Sequence, residues 1–176
     1  MVTLVVLGAV ALLLVVYGFW TARRLDRLHA RLDAAAAALD AQLRARAEGA
    51  ARFAAEGDLP REGVAELALA AEIAAEAPGL GHDREAVENR LSRALREVTG
   101  EAGADAAGFA LADTATRASF ARRFHNDAVR DVLVVRKRRI VRYLRLAGRA
   151  PLPAYFEIVE PAALISQVSV AAPPYD

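Results

Sequence analysis

The 176-residue chain has no cysteine, a single lysine and few aromatic residues. The lack of cysteine excludes disulfides, thiolate metal sites and cysteine nucleophiles. All basic residues except Lys137 are arginines, and alanine is abundant. Together these features indicate the coding bias of a GC-rich bacterial genome. Alanine also builds helices without building a large core, so the apolar fraction of 55% overstates the core.

Signatures of catalysis and metal binding are missing as well. The sequence has no P-loop, no G-x-S-x-G motif and no dinucleotide-binding fingerprint. His29, His82 and His125 are far apart, and none belongs to an H-E-x-x-H motif or to the E-x-x-H repeats of a di-iron bundle. The sequence therefore predicts no catalytic residue, no metal or cofactor, and a protein that is not an enzyme.

Charge is segregated along the chain, although the net charge is only +1. Residues 21–55 carry seven arginines and four acidic residues, whereas residues 56–105 carry five arginines and twelve acidic residues. Residues 106–149 have eleven basic residues and three acidic ones, and residues 150–176 have three acidic residues and no basic one. Such blocks favour packing of acidic segments against basic ones.

Residues 2–20 form an apolar run that contains Thr3, Gly8 and Gly18 as its only other members. A helix of this length spans about 28 Å, close to the thickness of a bilayer's hydrocarbon core. Tyr17, Phe19 and Trp20 cluster at its end, where aromatic rings favour the headgroup interface. The run predicts a transmembrane anchor over residues 1–22.

The flanks of the run distinguish an anchor from a cleaved signal peptide and predict its orientation. No basic region precedes the run and no A-x-A-like cleavage site follows it, which favours the anchor. Arginines follow the run closely, beginning with Arg23 and Arg24. Because the arginine-rich side stays in the cytoplasm, we expect a cell-membrane protein with its N-terminus outside and its main part inside. A secreted or periplasmic bundle after signal cleavage is the alternative.

The pattern of the remaining residues predicts helices separated by turn residues. Apolar residues recur at helical spacing from Leu25 to Phe53, and no proline interrupts residues 21–56, so the anchor helix should continue to Glu56. Turn residues then predict a second helix from Pro60 to about Ala77. A third helix should run from the cap Asp83 to Thr99.

A fourth helix is predicted from Asp105 or Asp113 to Gly148, with Pro151 and Pro153 beyond it. Its apolar face is expected to include Ala118, Phe124 and Val132. The predicted fold class is therefore all-α, with an N-terminal transmembrane helix that continues into an antiparallel four-helix bundle. Residues 23–149 would form the bundle and residues 150–176 a proline-containing tail.

Residues 39–46 are L-D-A-Q-L-R-A-R, residues 121–131 are A-R-R-F-H-N-D-A-V-R-D, and residues 153–157 are P-A-Y-F-E. These stretches resemble the I-D-x-Q-L-x-R-R, A-R-x-x-Y-N-D-A-V-R-D-Y-N and P-x-P-Y-F-E segments of the LemA family of bacterial membrane proteins. Val132 and Leu133 stand in place of the Tyr-Asn that ends the second segment. The arginine pair is split by Ala45, which marks a divergent member. The resemblance implies a helical bundle on a membrane anchor and no defined activity.

The matching motifs supply candidate interaction residues. Asp127 and Arg130 have the spacing of a local ion pair. A second interpretation is a polar cluster between the two long helices that sets their register. Its members would be Asp40, Gln42, Arg44, Arg46, Asn126, Asp127 and Arg130. The tail motif consists of Tyr155, Phe156 and Glu157, which would either pack along the bundle or bind a partner.

A basic segment near the end of the predicted fourth helix has three interpretations. It comprises Arg136, Lys137, Arg138, Arg139, Arg142, Arg145 and Arg149. It could form a solvated face beside the acidic helices, or bind nucleic acid, which the balanced net charge disfavours. Contact with anionic lipid is the favoured interpretation.

The sequence as a whole predicts a scaffold or adaptor at the inner membrane. Expected partners are membrane lipid, unidentified proteins and further copies of the chain through its long helices, but no nucleic acid. The alternative function is a membrane-tethered module that recognises a ligand or substrate.

Overall fold

The computed structural model describes residues 1–57, 59, 61–99, 106–138, 141 and 151–159. Within these residues the fold is all-α: four helices are present and there is no strand. Helix α1 comprises Val2–Glu56, α2 Arg61–Glu76, α3 His82–Thr99 and α4 Ala106–Arg136. The predicted all-α class and the order of its helices are confirmed.

Helix α1 begins with the apolar run and continues without a break for 55 residues. Side chains from Val2 to Val16 are exposed. The Thr21 hydroxyl donates to the carbonyl oxygen of Tyr17 at 2.8 Å, which satisfies this polar group inside its own helix. Among the described helices, α1 alone is long and apolar enough to cross a membrane by length and composition, a test that a signal sequence also passes.

Helix α1 ends where a glycine allows the chain to turn. The Gly57 N–H donates to the carbonyl oxygen of Phe53 at 2.9 Å. A Cβ atom at Gly57 would lie 2.6 Å from that oxygen, so any other residue would force the helix end to move. Helix α1 therefore ends after Glu56 as predicted, because Gly57 is the residue that permits this turn.

The chain divides into two compact units, each of which has its own core. The first unit comprises Met1–Ala35 with Asn126–Tyr155, and the second comprises Ala36–His125 with Phe156–Asp176. In the first unit, α1 packs on the end of α4 through two small clusters. Their buried members are Leu25, Leu32, Ala128, Val129, Val132, Val135 and Val141.

The second unit has the larger core, to which all four helices contribute. Each helix supplies both small and large side chains: α1 contributes Ala47 and Phe53, and α2 contributes Leu67 and Ala70. The members from α3 and α4 are Leu91, Ala94, Leu95, Val98, Leu111 and Ala112. The alanines let helix backbones approach closely, and the leucines fill the remaining space. Alanine and leucine thus make up most of the core.

Helix α4 departs from its prediction at two points. It ends at Arg136, before the predicted Gly148, and the Arg138 N–H donates to the carbonyl oxygen of Val135 in a tight final turn. Val141 is helical again, and residues 142–150 lie outside the described residues. Phe124, predicted on the apolar face, is 65% exposed, because the buried face of α4 passes through His125 instead.

A pair of leucines on α2 tests this core. Leu67 is fully buried in the second unit, whereas Leu69 is 45% exposed. We expect Leu67→Ala to lower the free energy of unfolding by about 2–5 kcal/mol, because it leaves a cavity. Leu69→Ala should change it by about 0.5 kcal/mol or less. Chemical denaturation of the full chain in detergent micelles, followed by circular dichroism, measures both; equal losses would contradict the described packing.

Candidate functional site

A buried ionic cluster lies in the second unit between α1 and α3. Arg46 of α1 donates from Nη1 to Glu88 Oε2 at 3.0 Å and from Nη2 to Ser92 Oγ at 2.8 Å. Arg84 of α3 donates from Nε to Glu88 Oε1 at 2.9 Å. Each carboxylate oxygen of Glu88 thus accepts from a different arginine, and all four side chains are buried.

Arg84 extends this cluster to two other elements. Its Nη1 group lies 3.5 Å from Asp40 Oδ1 of α1 and also donates to the carbonyl oxygen of Ala77, just after the end of α2. Asp40 in turn pairs with Arg44 one turn along α1, at 2.9 Å. One guanidinium therefore joins α1, α3 and the chain that leaves α2.

The electrostatics of the cluster favour a structural role. Burial raises the pKa of the Glu88 carboxyl above its ordinary value of 4.5, while Arg46 and Arg84 act in the opposite direction. The geometry, with an arginine at each oxygen, is that of an ionised carboxylate. Ser92 also donates to the carbonyl oxygen of Glu88 at 2.9 Å, so its hydroxyl is engaged on both sides. Arginine does not give up its proton near neutral pH, and nothing in this arrangement activates a nucleophile.

The predicted polar motif residues fall into both units. Asp40, Gln42, Arg44 and Arg46 belong to the second unit, where Asp40 and Arg46 enter the buried cluster and Gln42 is half-buried. Asn126, Asp127 and Arg130 belong to the first unit. There Arg130 Nη2 lies 2.5 Å from Asp127 Oδ1 in an exposed pair of the local kind that the spacing indicates. The polar cluster between these two sets stays a prediction.

Sequence reasoning missed the partners on α3. Arg84, Glu88 and Ser92 follow one another at four-residue intervals, so they form a polar stripe beside the apolar stripe of Leu91 and Leu95. A polar stripe adjoining the core face of a helix is the signal that could have found them. It was concealed because α3 carries many other charged residues.

The tail motif packs on the second unit as an extended segment. Phe156 is 2% exposed and clusters with Leu39 and Leu43 of α1 and with Ala118 of α4. Ile158 and Leu80 pack against the same cluster. Of the two interpretations of the tail, packing along the bundle is observed for Phe156, whereas Tyr155 is exposed.

Two side chains of α3 bind the backbone of this segment. The Glu157 N–H donates to Glu85 Oε1 at 2.8 Å, and the Val159 N–H donates to Asn89 Oδ1 at 2.7 Å. The Glu157 carboxylate lies 3.6 Å from Arg122 of α4. Burial raises the pKa of Glu85, but the hydrogen bond from Glu157 and contact with His82 lower it, and the net direction is below the ordinary value.

The basic segment is described only at its start. Arg136 donates to the carbonyl oxygen of Pro151 at 2.9 Å, and Lys137 and Arg138 are exposed. Arg139, Arg142, Arg145 and Arg149 lie outside the described residues. Among the residues that can be described, no group of three or more metal-ligating side chains occurs, and His125 is buried in α4.

Comparison of the sequence with family models and with curated proteins, and of the fold with solved structures, finds no match.

Removing the shared carboxylate tests the buried cluster. Glu88→Gln should lower the free energy of unfolding by about 3–5 kcal/mol, because it leaves two buried guanidiniums without their central counter-charge. Asp113→Asn, which breaks the exposed pair of Asp113 with Arg117, should cost less than about 1 kcal/mol. In a double-mutant cycle with Arg46→Met, the two losses should be less than additive. Additive losses in denaturation experiments would contradict direct coupling.

An exposed pair between α2 and α3 gives a pH test. A hydrogen bond and charge from Arg90, whose Nε lies 2.9 Å from Glu66 Oε1, lower the pKa of Glu66 below 4.5. The stabilisation from this pair is present above the ordinary pKa and is lost as pH falls through the lowered one. Arg90→Gln should raise the pKa of Glu66 towards 4.5 in an NMR titration of the full chain. Arg93→Gln, on the exposed side of α3, should leave the pKa of Glu66 unchanged. If neither variant shifts that pKa, the result argues against the pair of Arg90 and Glu66.

Proposed function

We propose that this protein is a single-pass membrane adaptor. Its apolar N-terminal run anchors it in the cell membrane, and its second unit offers a rigid helical surface to other proteins in the cytoplasm. We also propose that the protein self-associates through its long helices. We further propose that it is a member of the LemA family, whose expected anchor and helical bundle agree with this architecture.

The observation that carries the proposal is the exposed apolar start of α1. Its side chains from Val2 to Val16 are exposed, although each is apolar or small. So large a continuous apolar surface is unfavourable in water and marks contact with a membrane or another protein. The same helix continues as a buried element of the core, where Leu39, Leu43 and Ala47 are fully covered.

Contacts at the end of the apolar run support an interfacial position for the residues that follow it. The Arg23 guanidinium lies 4.7 Å from the ring centre of Phe19, and that of Arg24 lies 5.8 Å from the ring centre of Trp20. Aromatic rings with arginines beside them are favoured at the headgroup level. Because the arginines follow the run, the positive-inside rule assigns the main part of the chain to the cytoplasm.

The composition of the core favours an adaptor over a module that encloses a small ligand. In the second unit, alanine and leucine make up most of the buried cluster, and Glu88 is paired with both Arg46 and Arg84. Binding through the outer surface is therefore the mode that we propose. The basic segment that begins at Arg136 would add contact with anionic lipid, worth about 1 kcal/mol per arginine or lysine near the surface.

Fractionation tests the anchor. The full-length protein should stay in the membrane pellet after an alkaline wash, with its N-terminal run uncut in the mass spectrum. Leu7→Arg combined with Leu12→Arg should release it, because each charge costs about 2.5–3.5 kcal/mol at the centre of a spanning helix. Leu152→Arg, an exposed leucine outside α1, is the matched control and should leave it in the pellet.

Orientation is tested separately, with reporter fusions after Asp176. A fluorescent protein there should fold and fluoresce, and a phosphatase should be inactive, since both would be cytoplasmic. A soluble chain trimmed near Thr21 would instead identify the run as a signal peptide, and an active phosphatase would reverse the topology.

A further inference from the structure

We propose that neighbouring copies of this chain bind one another head to tail, with an aromatic and basic face of α4 on one copy against an acidic face of α2 on the next. Both faces belong to the second unit. The inference names the surfaces of the proposed self-association, and it rests on the proposed function, because a shared membrane holds all copies in the same orientation.

The first surface, called the α4 face, comprises Arg117, Phe120, Arg123 and Phe124. Phe120 and Phe124 lie one turn apart, and each is more than half exposed. Arg117 is paired with Asp113 at 2.6 Å. Arg123 lies 5.9 Å from the ring centre of Phe120 and forms no ion pair with a described residue. Exposed aromatic surface beside such a cation marks a face for a partner.

The second surface, called the α2 face, comprises Ala65, Leu69, Glu72 and Glu76. All of them are exposed, on the side of α2 opposite the buried Leu67. From Ala65 to its end, α2 has no basic residue. Among the described side chains, neither Glu72 nor Glu76 has an ion-pair partner. Within one copy, therefore, the charge of this face is not neutralised by a described residue.

The two faces complement each other in charge and in apolar surface. Across the contact, Arg123 would meet Glu76, and Leu69 would pack beside Phe120. Two α4 faces brought together would instead oppose arginine to arginine, and two α2 faces would oppose glutamate to glutamate. Because complementary charge selects the partner and fixes its register, the occupant of the α4 face is the α2 face of a second copy.

Contacts inside one copy give the direction of α4. Leu39 of α1 packs with Ala118 of α4. Ten residues further along α1, a Cβ atom on Gly49 would lie 3.0 Å from Thr114 Oγ1. The position on α4 moves backwards as the position on α1 moves forwards, so α4 runs antiparallel to α1.

Helix α2 has the same direction as α4. Its partner α3 places Arg84 beside Asp40 of α1, and Arg84 also donates to the carbonyl oxygen of Ala77. Further along α3, Arg90 pairs with Glu66 near the start of α2. Helix α2 is thus antiparallel to α3 and ends at the level of Asp40, the level at which α4 passes Ala118.

The shared direction sets the register between copies. Copies side by side in one membrane run the same way, so α2 of one lies parallel to α4 of the next. Glu76 then comes within about one turn, 5.4 Å, of the level of Arg123, a gap that the two long side chains can close. Leu69, two turns before Glu76, faces the gap between Arg117 and Phe120.

The contact should depend on the membrane. Each face covers about two to three turns of one helix, so together they bury less than the about 1,600 Å² of a standard interface. Anchoring raises the effective concentration of neighbouring copies and so compensates for weak intrinsic affinity. Because the contact joins two different faces, it can repeat from copy to copy and give rings or rows.

Crosslinking in whole cells tests the inference, and the lack of native cysteine makes each introduced thiol unique. One chain carries Ala65→Cys, and a co-expressed chain with a different tag carries Ala110→Cys, an exposed position one turn before Thr114. A short bismaleimide should join the two chains. Either variant alone should give no product, because identical positions are never adjacent in this contact. Ala86→Cys, exposed on α3, is the matched control for Ala65→Cys and should give none.

Charge exchange then tests the pairing itself. Arg123→Glu in the chain that carries Ala110→Cys should lower the crosslinked yield about tenfold, because it sets a like charge against Glu76. Adding Glu76→Arg to the other chain should restore the yield, which also shows that both variants fold. Arg93→Glu, an exposed reversal on α3, is the control and should leave the yield unchanged.

Three results would overturn the inference. A product from Ala110→Cys alone would assign the α4 face to a second α4, and correctly folded chains that give no product would exclude the contact. A yield that Arg123→Glu leaves unchanged would exclude the charge pairing. Since the product is read in whichever fraction holds the chain, a failed anchor moves the chain out of the membrane pellet, whereas a failed contact removes the product and leaves the chain in the pellet.

Discussion

The second unit depends on one carboxylate shared by two arginines. Glu88 has no access to solvent, and each of its oxygens accepts from a different guanidinium, one on α1 and one on its own helix. An interior of alanine and leucine tolerates sliding of one helix past another, because its side chains are small or interchangeable in shape. The ionic cluster does not tolerate it, since a shift of one residue would leave buried charges unpaired. We infer that the apolar core supplies stability and the ions supply register.

The same interaction explains why the short helices are held in place. Helix α2 has no buried charged residue among its described side chains, yet the carbonyl oxygen of Ala77 at its end accepts from Arg84. Helix α3 is bound to α1 through Glu88 and to α2 through Arg90 and Glu66. The exposed pair adds little by itself, as surface ion pairs generally do. The buried contacts therefore determine how these helices pack, and the exposed ion pair forms as a consequence of that packing.

Helical periodicity was sufficient to predict the fold, but it could not predict the site. The apolar positions from Leu25 to Phe53 and the turn at Gly57 carry local signals, so the helices and most of their ends were predictable. Asp83, predicted as the cap of α3, lies instead in its first turn, because the helix begins at His82. The break after Arg136 was missed because the apolar pattern continues past it. Phe124 was misplaced because one residue on a helix changes direction by about 100°.

The pairing of Arg46 with Glu88 joins residues 42 positions apart, and no local pattern records such a distance. Asp40 and Arg46 were named only through a family resemblance, which identified positions but not their contacts. The backbone contacts of the tail were beyond prediction for a different reason. Glu85 and Asn89 resemble ordinary surface residues until an extended segment lies against them.

Helix α3 therefore makes three sets of contacts within nine positions. Arg84, Glu88 and Ser92 face the ions, while Glu85 and Asn89 face the tail, and Leu91 belongs to the core. Substitutions that disturb none of these contacts are confined to the exposed positions of α3, such as Ala86, Arg93 and Glu97. Over evolutionary time α3 should change more slowly than α2, whose described buried residues are all apolar. Helix α3, which is short, polar and without a recognisable motif, would then be the slowest-changing part of the second unit.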